Sequence, residues 1–158
     1  MFKTLTLTLL LGNLLLHAGE LTTKKSLNLG AVKVMVAAAE AEAKTRNVEV
    51  TLCIVDENAT VIFLQKGDRP GINTLQYAQK KARHAALFGS PSKNAADQLK
   101  SGNLQVLIQP DSFPNQGGLP IKIDGKTIGA ISASGAASEI DEAVAQAGID
   151  ALLAWLKQ

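Results

Sequence analysis

Apolar residues between Leu21 and Asn47 recur at the spacing of an α-helix, and they do so on two faces. Thr22 or Thr23 is predicted to cap this helix. One apolar face would pack on the protein's own sheet, and the other would need a second partner such as a neighbouring subunit. The two stripes are Leu27, Ala31, Val34, Ala38 and Ala41, and Val32, Val36, Ala39 and Ala43.

Three further helices are predicted downstream. The first covers residues 73–88 and is stopped by Gly89, and the second, "KNAADQLKSG", begins at a Ser92 cap. The last covers residues 138–156, and its acidic first turn complements the helix dipole. Its predicted inner stripe consists of Ile140, Ala143, Val144, Ala147, Ala151 and Ala154.

Alternating apolar residues predict strands between these helices. "VEVTLCIVDENATVIFLQKGD" predicts a hairpin, "LQVLIQ" a single strand, and "LPIKIDGKTIGAISASG" a second hairpin that turns at Asp124-Gly125. Both faces of the first strand are apolar, which indicates a central strand covered on both sides. The predicted fold class is therefore α/β of the α+β type, a layered domain with a mainly antiparallel five-stranded sheet covered by helices.

The composition narrows the class of protein. The chain has 158 residues, 46% hydrophobic but only 4% aromatic, so small aliphatic side chains must fill the core. Its formal charge is +2, and this near balance with few aromatics argues against a nucleic-acid surface. A lone cysteine, Cys53, excludes an internal disulfide and is expected to be a buried small hydrophobe.

The first residues, "MFKTLTLTLLLGNLLLHAGE", follow the pattern of a secretory signal peptide. Lys3 supplies the positive start, an apolar run follows, and Ala18 and Gly19 are small residues near a cleavage point. Residues 1–19 are thus predicted to be the signal peptide and residues 20–158 a single domain, periplasmic or secreted, with no membrane span in the mature chain. An uncleaved anchor or a first core helix is the alternative.

The sequence lacks the motifs of the common enzyme classes. It has no G-x-S-x-G elbow, no P-loop and no dinucleotide fingerprint, and His84 is the only histidine besides His17. Asp141 and Glu142 lie in the first turn of a helix, where acids more often complement the dipole than bind a metal. Catalysis is therefore not expected, although the sequence does not exclude it.

The helix at residues 73–88 carries the most distinctive side chains. In projection its alanines face the core, while Tyr77, Lys81, His84 and Phe88 form a second stripe at the edge of that core. Such an edge fits the wall of a pocket or a contact between subunits. A pocket there would suit a flat apolar ligand with acidic groups. A half-buried packing histidine is the simpler alternative.

Two glycine-containing loops are further candidates for a binding site. "NQGGLP" contains Gly117 and Gly118, and "SASGAAS" contains Ser134 and Gly135. Glycines permit backbone conformations in which exposed amides hold an anion. The alternative is that these glycines only form tight turns at strand ends.

Several stretches resemble the GlcG/HbpS family of small haem-binding proteins, whose domain also forms the C-terminal part of PduO-type proteins. They are an N-terminal "LT" before an Ala-rich helix, "VTLCIVDENATVIFLQKGD", "AQKKARHAALFGSPS", "GGLPIKIDGKTIGAISASG" and "DEAVAQAGIDAL". The resemblance covers residues 21–153. The chain departs from the family pattern at Ala59, Ser132, Ala136 and Ile140.

The resemblance implies an antiparallel sheet with helices on both sides, a homo-oligomer built from dimers, and binding of haem or a related tetrapyrrole. It implies roles for the matching residues Lys81, Ala82, Phe88, Gly117, Gly118, Pro120, Ser134, Gly135, Asp141 and Glu142. The expected function is haem storage, sensing or delivery, with a membrane sensor or transport protein as partner. The alternatives are binding or conversion of a small hydroxy- or oxo-acid, held by Lys81 and the loop amides, and a structural oligomeric accessory.

His84 is the candidate ligand of the haem iron, because imidazole is a common axial ligand and signal removal would leave no other histidine. Tyr77 and Phe88 could lie against the porphyrin, and Lys81 could pair with a propionate. Tyr77 is the next candidate ligand. A packing or interface role for His84 is the alternative.

Overall fold

The computed structural model describes residues 22–158, so the predicted signal peptide lies outside the described residues. Among the described helices, none combines the length and apolarity needed to cross a membrane. The elements are α1 (Leu29–Thr45), β1 (Thr51–Asp56), β2 (Val61–Lys66), α2 (Thr74–Phe88), α3 (Ser92–Lys100), a 3₁₀ helix (Leu104–Leu107), β3 (Gly118–Ile123), β4 (Lys126–Ser134) and α4 (Ser138–Trp155).

The described strands form one antiparallel sheet in the order β2-β1-β4-β3. The α+β class is confirmed, but the sheet has four strands rather than the five that the sequence predicts. The segment predicted as the fifth strand forms the 3₁₀ helix instead, started by the Asn103 side chain, which accepts from the Gln105 N–H. Residues that would share one face of a strand differ in burial here, since Val106 is buried while Leu104 and Ile108 are exposed.

Helices cover both faces of the sheet, as predicted. The inner residues of β1 alternate between two cores: Leu52 and Ile54 join α1 and α4 on one side, and Cys53 and Val55 join α2 on the other. Because β1 lies between β2 and β4 and packs on both faces, it is the central buried strand that its sequence indicates.

The start of α1 and the role of its second apolar stripe differ from prediction. The helix is capped by Asn28, whose side chain accepts from the Ala31 N–H at 2.8 Å, and not by Thr22 or Thr23. The stripe Val32, Val36, Ala39 and Ala43 is buried in the chain's own core. The structure supplies the second partner internally, because α4 packs beside α1.

The buried face of α4 is also rotated from the predicted one. Of the predicted stripe, only Val144 is buried, and the buried residues are Asp141, Val144, Ala145, Gly148, Ile149 and Leu152. Gly148 explains the rotation, because a Cβ there would lie 2.8 Å from Ile131 Cδ1 and 3.0 Å from the Met35 carbonyl oxygen. The helix turns its smallest residue toward the sheet and α1, where the approach is closest.

Candidate functional site

Helix α2 forms over the predicted residues and ends, as predicted, at Gly89, which adopts a left-handed conformation with φ 59°. Alanines on its inner face let it lie close to the sheet. The Ser132 hydroxyl donates to the Ala78 carbonyl at 2.6 Å, and a Cβ on Gly118 would lie 2.3 Å from the Lys81 carbonyl oxygen. The backbone of α2, which carries the candidate side chains, is therefore held close to β3 and β4.

Lys81 forms a buried ion pair. Its ammonium donates to Asp141 Oδ2 at 2.8 Å and to the Ala133 carbonyl at 3.1 Å. The side chains of Lys81 and Asp141 are only 2% and 3% exposed. The sequence places Lys81 at the edge of the core, but the structure puts it inside. Asp141 is not merely complementing the helix dipole, since it neutralises a buried cation and also accepts from the Ala136 N–H at 3.0 Å.

Gly117 and Gly118 pack against this ion pair at the start of β3. Gly117 has φ 121°, and a Cβ there would lie 2.9 Å from each of Lys81 Nζ, Asp141 Cβ and the Ala133 carbonyl oxygen. The Gly118 N–H donates to Ser92 Oγ, which in turn donates to the Asn115 carbonyl. Both glycines are buried, so they do not form the open anion-binding loop that the sequence allows.

Ser134 and Gly135 end the neighbouring strand. Ser134 is 3% exposed and pairs with Thr51 in the sheet, while Gly135 is exposed with φ 145°. The structure thus gathers Lys81 and both glycine loops around one ion pair. The ammonium is enclosed and already neutralised, so this geometry does not favour the alternative of a small-acid site at Lys81.

His84 lies one turn after Lys81 and is 3% exposed, which is more buried than the edge position predicted from its sequence. Its ring stacks on Phe88 with centroids 4.5 Å apart. Its Nδ1 accepts a hydrogen bond from the Phe113 N–H at 3.0 Å. Burial lowers the pKa of the imidazole, so His84 is neutral at pH 7.

Phe113 is the site residue that sequence reasoning missed. Its ring lies 5.6 Å from that of Tyr77, and the Lys80 ammonium lies 5.6 Å from its centroid. Arg83 holds the same loop through two hydrogen bonds to Asp111, at 2.6 and 3.2 Å. The sequence signal that could have found it is that Phe113 is the single aromatic residue of the turn-rich stretch "PDSFPNQGG".

Tyr77, Phe88 and Phe113 together form a surface that we call the aromatic face. Tyr77 and Phe88 are 39% and 40% exposed, and Phe113 is partly buried. The predicted stripe of Tyr77, His84 and Phe88 is therefore joined through Phe113, while Lys81 points into the core. The aromatic face carries two cations, Lys80 and Arg83, at its border.

The described residues offer little for a protein-bound metal ion. Among them, no three His, Cys, Asp or Glu side chains lie close enough together to hold one. Burial raises the pKa of the Cys53 thiol to about 12, so Cys53 is a small core residue, as its sequence indicates.

Comparison with known proteins decides the family. A family model described as "Haem degrading protein HbpS-like" matches residues 27–150, which is most of the chain. The chain belongs to this family. This confirms the resemblance on which the fold prediction partly rests.

The HbpS-like chain is similar in sequence to bacterial proteins. It is 30% identical over 129 residues to a 15.0 kDa protein from the dhaT-dhaS intergenic region of Citrobacter freundii, covering 79% of this chain and 91% of that one. It is 28% identical over 112 residues to Protein GlcG of Escherichia coli K12, covering 71% and 84%.

Two solved structures are similar in both sequence and fold. The HbpS crystal structure has a TM-score of 0.74 and 29% identity, covering 83% of this chain and 93% of that one. The crystal structure of a PduOC:haem complex has a TM-score of 0.73 and 25% identity, covering 80% and 95%.

Proposed function

We propose that this protein binds haem on the aromatic face of α2. The observation that carries the proposal is a connected row of side chains: the Tyr77 ring lies against the Phe113 ring, the Phe113 N–H donates to His84, and the His84 ring stacks on Phe88. The description of the family and the haem complex of the PduOC neighbour support haem as the ligand.

The aromatic face suits a planar, largely apolar ligand with two carboxylates. Exposed rings offer apolar contact and ring stacking without large conformational entropy costs. Lys80 at its border supplies positive charge for a propionate group, whereas Arg83 is already paired with Asp111. Lys81, which the sequence predicts as a propionate partner, is enclosed with Asp141, so we assign the propionate contact to its exposed neighbour Lys80.

Ligation of the iron by His84 stays a prediction, and the geometry adds a condition to it. The Phe113 N–H uses the lone pair of Nδ1, so the proton of the neutral ring lies on Nε2. Iron binding through Nε2 therefore requires this nitrogen to lose its proton. Iron binding through Nδ1 requires the Phe113 N–H to move away. Tyr77, which is exposed, stays the second candidate ligand.

We propose that the mature protein is periplasmic or secreted and stores, senses or delivers haem. The support is the signal-like pattern of residues 1–19, which lie outside the described part of the chain. N-terminal sequencing of the periplasmic fraction should find a start near residues 19–21. Full-length protein confined to the cytoplasm would contradict this proposal.

We also propose a homo-oligomer that acts beside a membrane sensor or transport protein. The stripe Val32, Val36, Ala39 and Ala43 of α1 is buried in the chain's own core, so the support comes from the segment after α3 instead. Leu104, Leu107 and Ile108 are 65%, 57% and 74% exposed in a run of five residues. Single chains rarely leave such an apolar cluster in water, and a second copy of the chain would cover it.

Titration of the purified mature protein with haemin tests the proposed function. We expect a shifted, saturable Soret band, and the double variant Tyr77→Ala/Phe88→Ala should weaken binding at least ~10-fold, because two aromatic contacts are lost. Leu153→Ala, which removes an exposed apolar side chain on α4, is the matched control and should bind as the unmodified protein does. Absence of saturable binding by the unmodified protein would overturn the proposal.

A further inference from the structure

His84 carries a polar group that the described structure leaves without a partner. His84 is only 3% exposed, and its Nδ1 accepts a hydrogen bond from the Phe113 N–H. Within residues 22–158, Nε2 has no hydrogen-bond partner, yet this atom is not completely enclosed by the protein. An N–H donor held in place and reaching the surface is available to an acceptor from outside the chain.

The protonation of the ring follows from its contacts. A backbone N–H can only donate, so Nδ1 must carry a lone pair, and the neutral ring then has its proton on Nε2. Stacking on Phe88 and burial keep the ring from rotating to exchange the two nitrogens. His84 therefore presents a hydrogen-bond donor, not a lone pair, at Nε2.

We infer that the Nε2–H of His84 donates to a carboxylate oxygen of the ligand on the aromatic face, as a binding residue rather than as the iron ligand. The inference rests on the proposed function, in which that carboxylate is a propionate of haem. A neighbouring positive charge favours an anionic acceptor, because Lys80 lies one helical turn before His84. The acid known to face this surface, Asp111, is already paired with Arg83.

Nitrogen NMR of the haem-free protein tests the tautomer without any ligand. Two-bond ¹⁵N–¹H correlation spectra at pH 7.5 should show the proton of His84 on Nε2, and the Phe113 amide signal should move in His84→Ala. A proton on Nδ1 would overturn the inference, because Nε2 would then offer a lone pair to iron.

Porphyrin binding by matched variants tests the contact itself. His84→Gln places an amide N–H near the position of Nε2, whereas His84→Ala removes the donor. With metal-free protoporphyrin IX as the probe, His84→Ala should weaken binding about 10- to 100-fold, the range for a hydrogen bond to a charged group. His84→Gln should recover most of that loss. Thermal melting of both variants confirms that they are folded.

The dimethyl ester of protoporphyrin IX separates the two roles of His84. The ester keeps carbonyl oxygens that accept hydrogen bonds but has lost the charge, so His84→Ala should weaken its binding clearly less than it weakens binding of protoporphyrin IX. If His84→Ala leaves metal-free protoporphyrin unaffected but shifts the Soret band of bound haemin, His84 is the iron ligand and the inference is wrong. If the unmodified protein binds none of these porphyrins, the proposed function itself is wrong.

Discussion

Lys81 on α2 and Asp141 on α4 meet across the edge of β3 and β4, with Nζ 2.8 Å from Oδ2 and both side chains almost fully buried. The pair joins two helices that lie on opposite faces of the sheet. Each partner has a second contact, Lys81 with the Ala133 carbonyl and Asp141 with the Ala136 amide. The positions that the resemblance marks as functional are thus in part the positions that fix α2 to the rest of the fold.

Loss of one partner of this pair should strongly destabilise the protein. We expect Lys81→Met to lower the free energy of unfolding by about 3–5 kcal/mol, because Asp141 is left as an uncompensated buried charge. The double variant Lys81→Met/Asp141→Leu should recover much of that loss. Urea denaturation followed by circular dichroism measures both.

An exposed pair provides the control for that experiment. Arg46 and Glu42 form an ion pair at 2.6 Å on the surface of α1, and Arg46→Met should cost only about 0.3–0.5 kcal/mol. Equal losses for Lys81→Met and Arg46→Met would show that burial does not control the strength of the Lys81 pair.

Gly117 should tolerate no side chain. Gly117→Ala places a Cβ 2.9 Å from the Lys81 ammonium and two other atoms, and its φ of 121° also disfavours alanine. Gly102→Ala is the matched control, because φ is 91° there but no atom lies within 4 Å of the added Cβ. We expect Gly102→Ala to cost about 1–2 kcal/mol and Gly117→Ala clearly more.

Urea midpoints of the two glycine variants distinguish steric crowding from backbone strain, because both variants have the strain and only Gly117→Ala has the crowding. A loss for Gly117→Ala no larger than for Gly102→Ala would mean that the Lys81 pair rearranges without cost.

Stability should fall as the haem-free protein is acidified, in part because of His84. Burial lowers the pKa of its imidazole below the ordinary value of 6.5, so the unfolded chain binds a proton that the folded chain does not. The free energy of unfolding therefore decreases as pH falls below about 6.5, and the loss ends only below the lowered pKa. Protonation also removes the lone pair that accepts from the Phe113 N–H.

Urea denaturation at pH 7.5 and pH 5.5 measures this dependence, with His84→Gln as the reference that cannot titrate. The drop between the two pH values should be larger for the unmodified protein than for the variant. An identical drop in both would show that another group causes it.

The 3₁₀ helix should carry a contact between copies of the chain. Ile108→Asp places a charge on a residue that is 74% exposed, so it should lower the assembled mass while the variant stays folded. Light scattering with size-exclusion chromatography gives the mass. Ile62→Asp, on the exposed strand β2, is the control and should leave the mass unchanged. A monomeric unmodified protein would contradict this prediction.

Val36→Asp should behave differently from Ile108→Asp. Since the structure buries Val36 in the chain's own core, that variant should unfold the protein rather than separate subunits. Of the other predicted stripe of α1 only Ala31 is buried, so the apolar pattern predicted the helix but not which residues face the core.

The sequence by itself determined the helices α1, α2 and α4, both hairpins and the buried central strand, because each rests on local periodicity or turn chemistry. The turn at Asp124-Gly125 formed as predicted, since both residues adopt the positive φ that a two-residue hairpin turn requires. The family was also readable from the spacing of short motifs.

The tertiary structure alone decided which faces are covered and which polar groups meet. Lys81 and Asp141 are 60 residues apart, and Phe113 reaches His84 from 29 residues away, so no local pattern could pair them. The predicted fifth strand failed for the same reason, because local alternation does not show whether a neighbouring strand is there to pair with. Periodicity follows from backbone geometry near in sequence, whereas burial and hydrogen-bond partners depend on contacts that form only when the whole chain has folded.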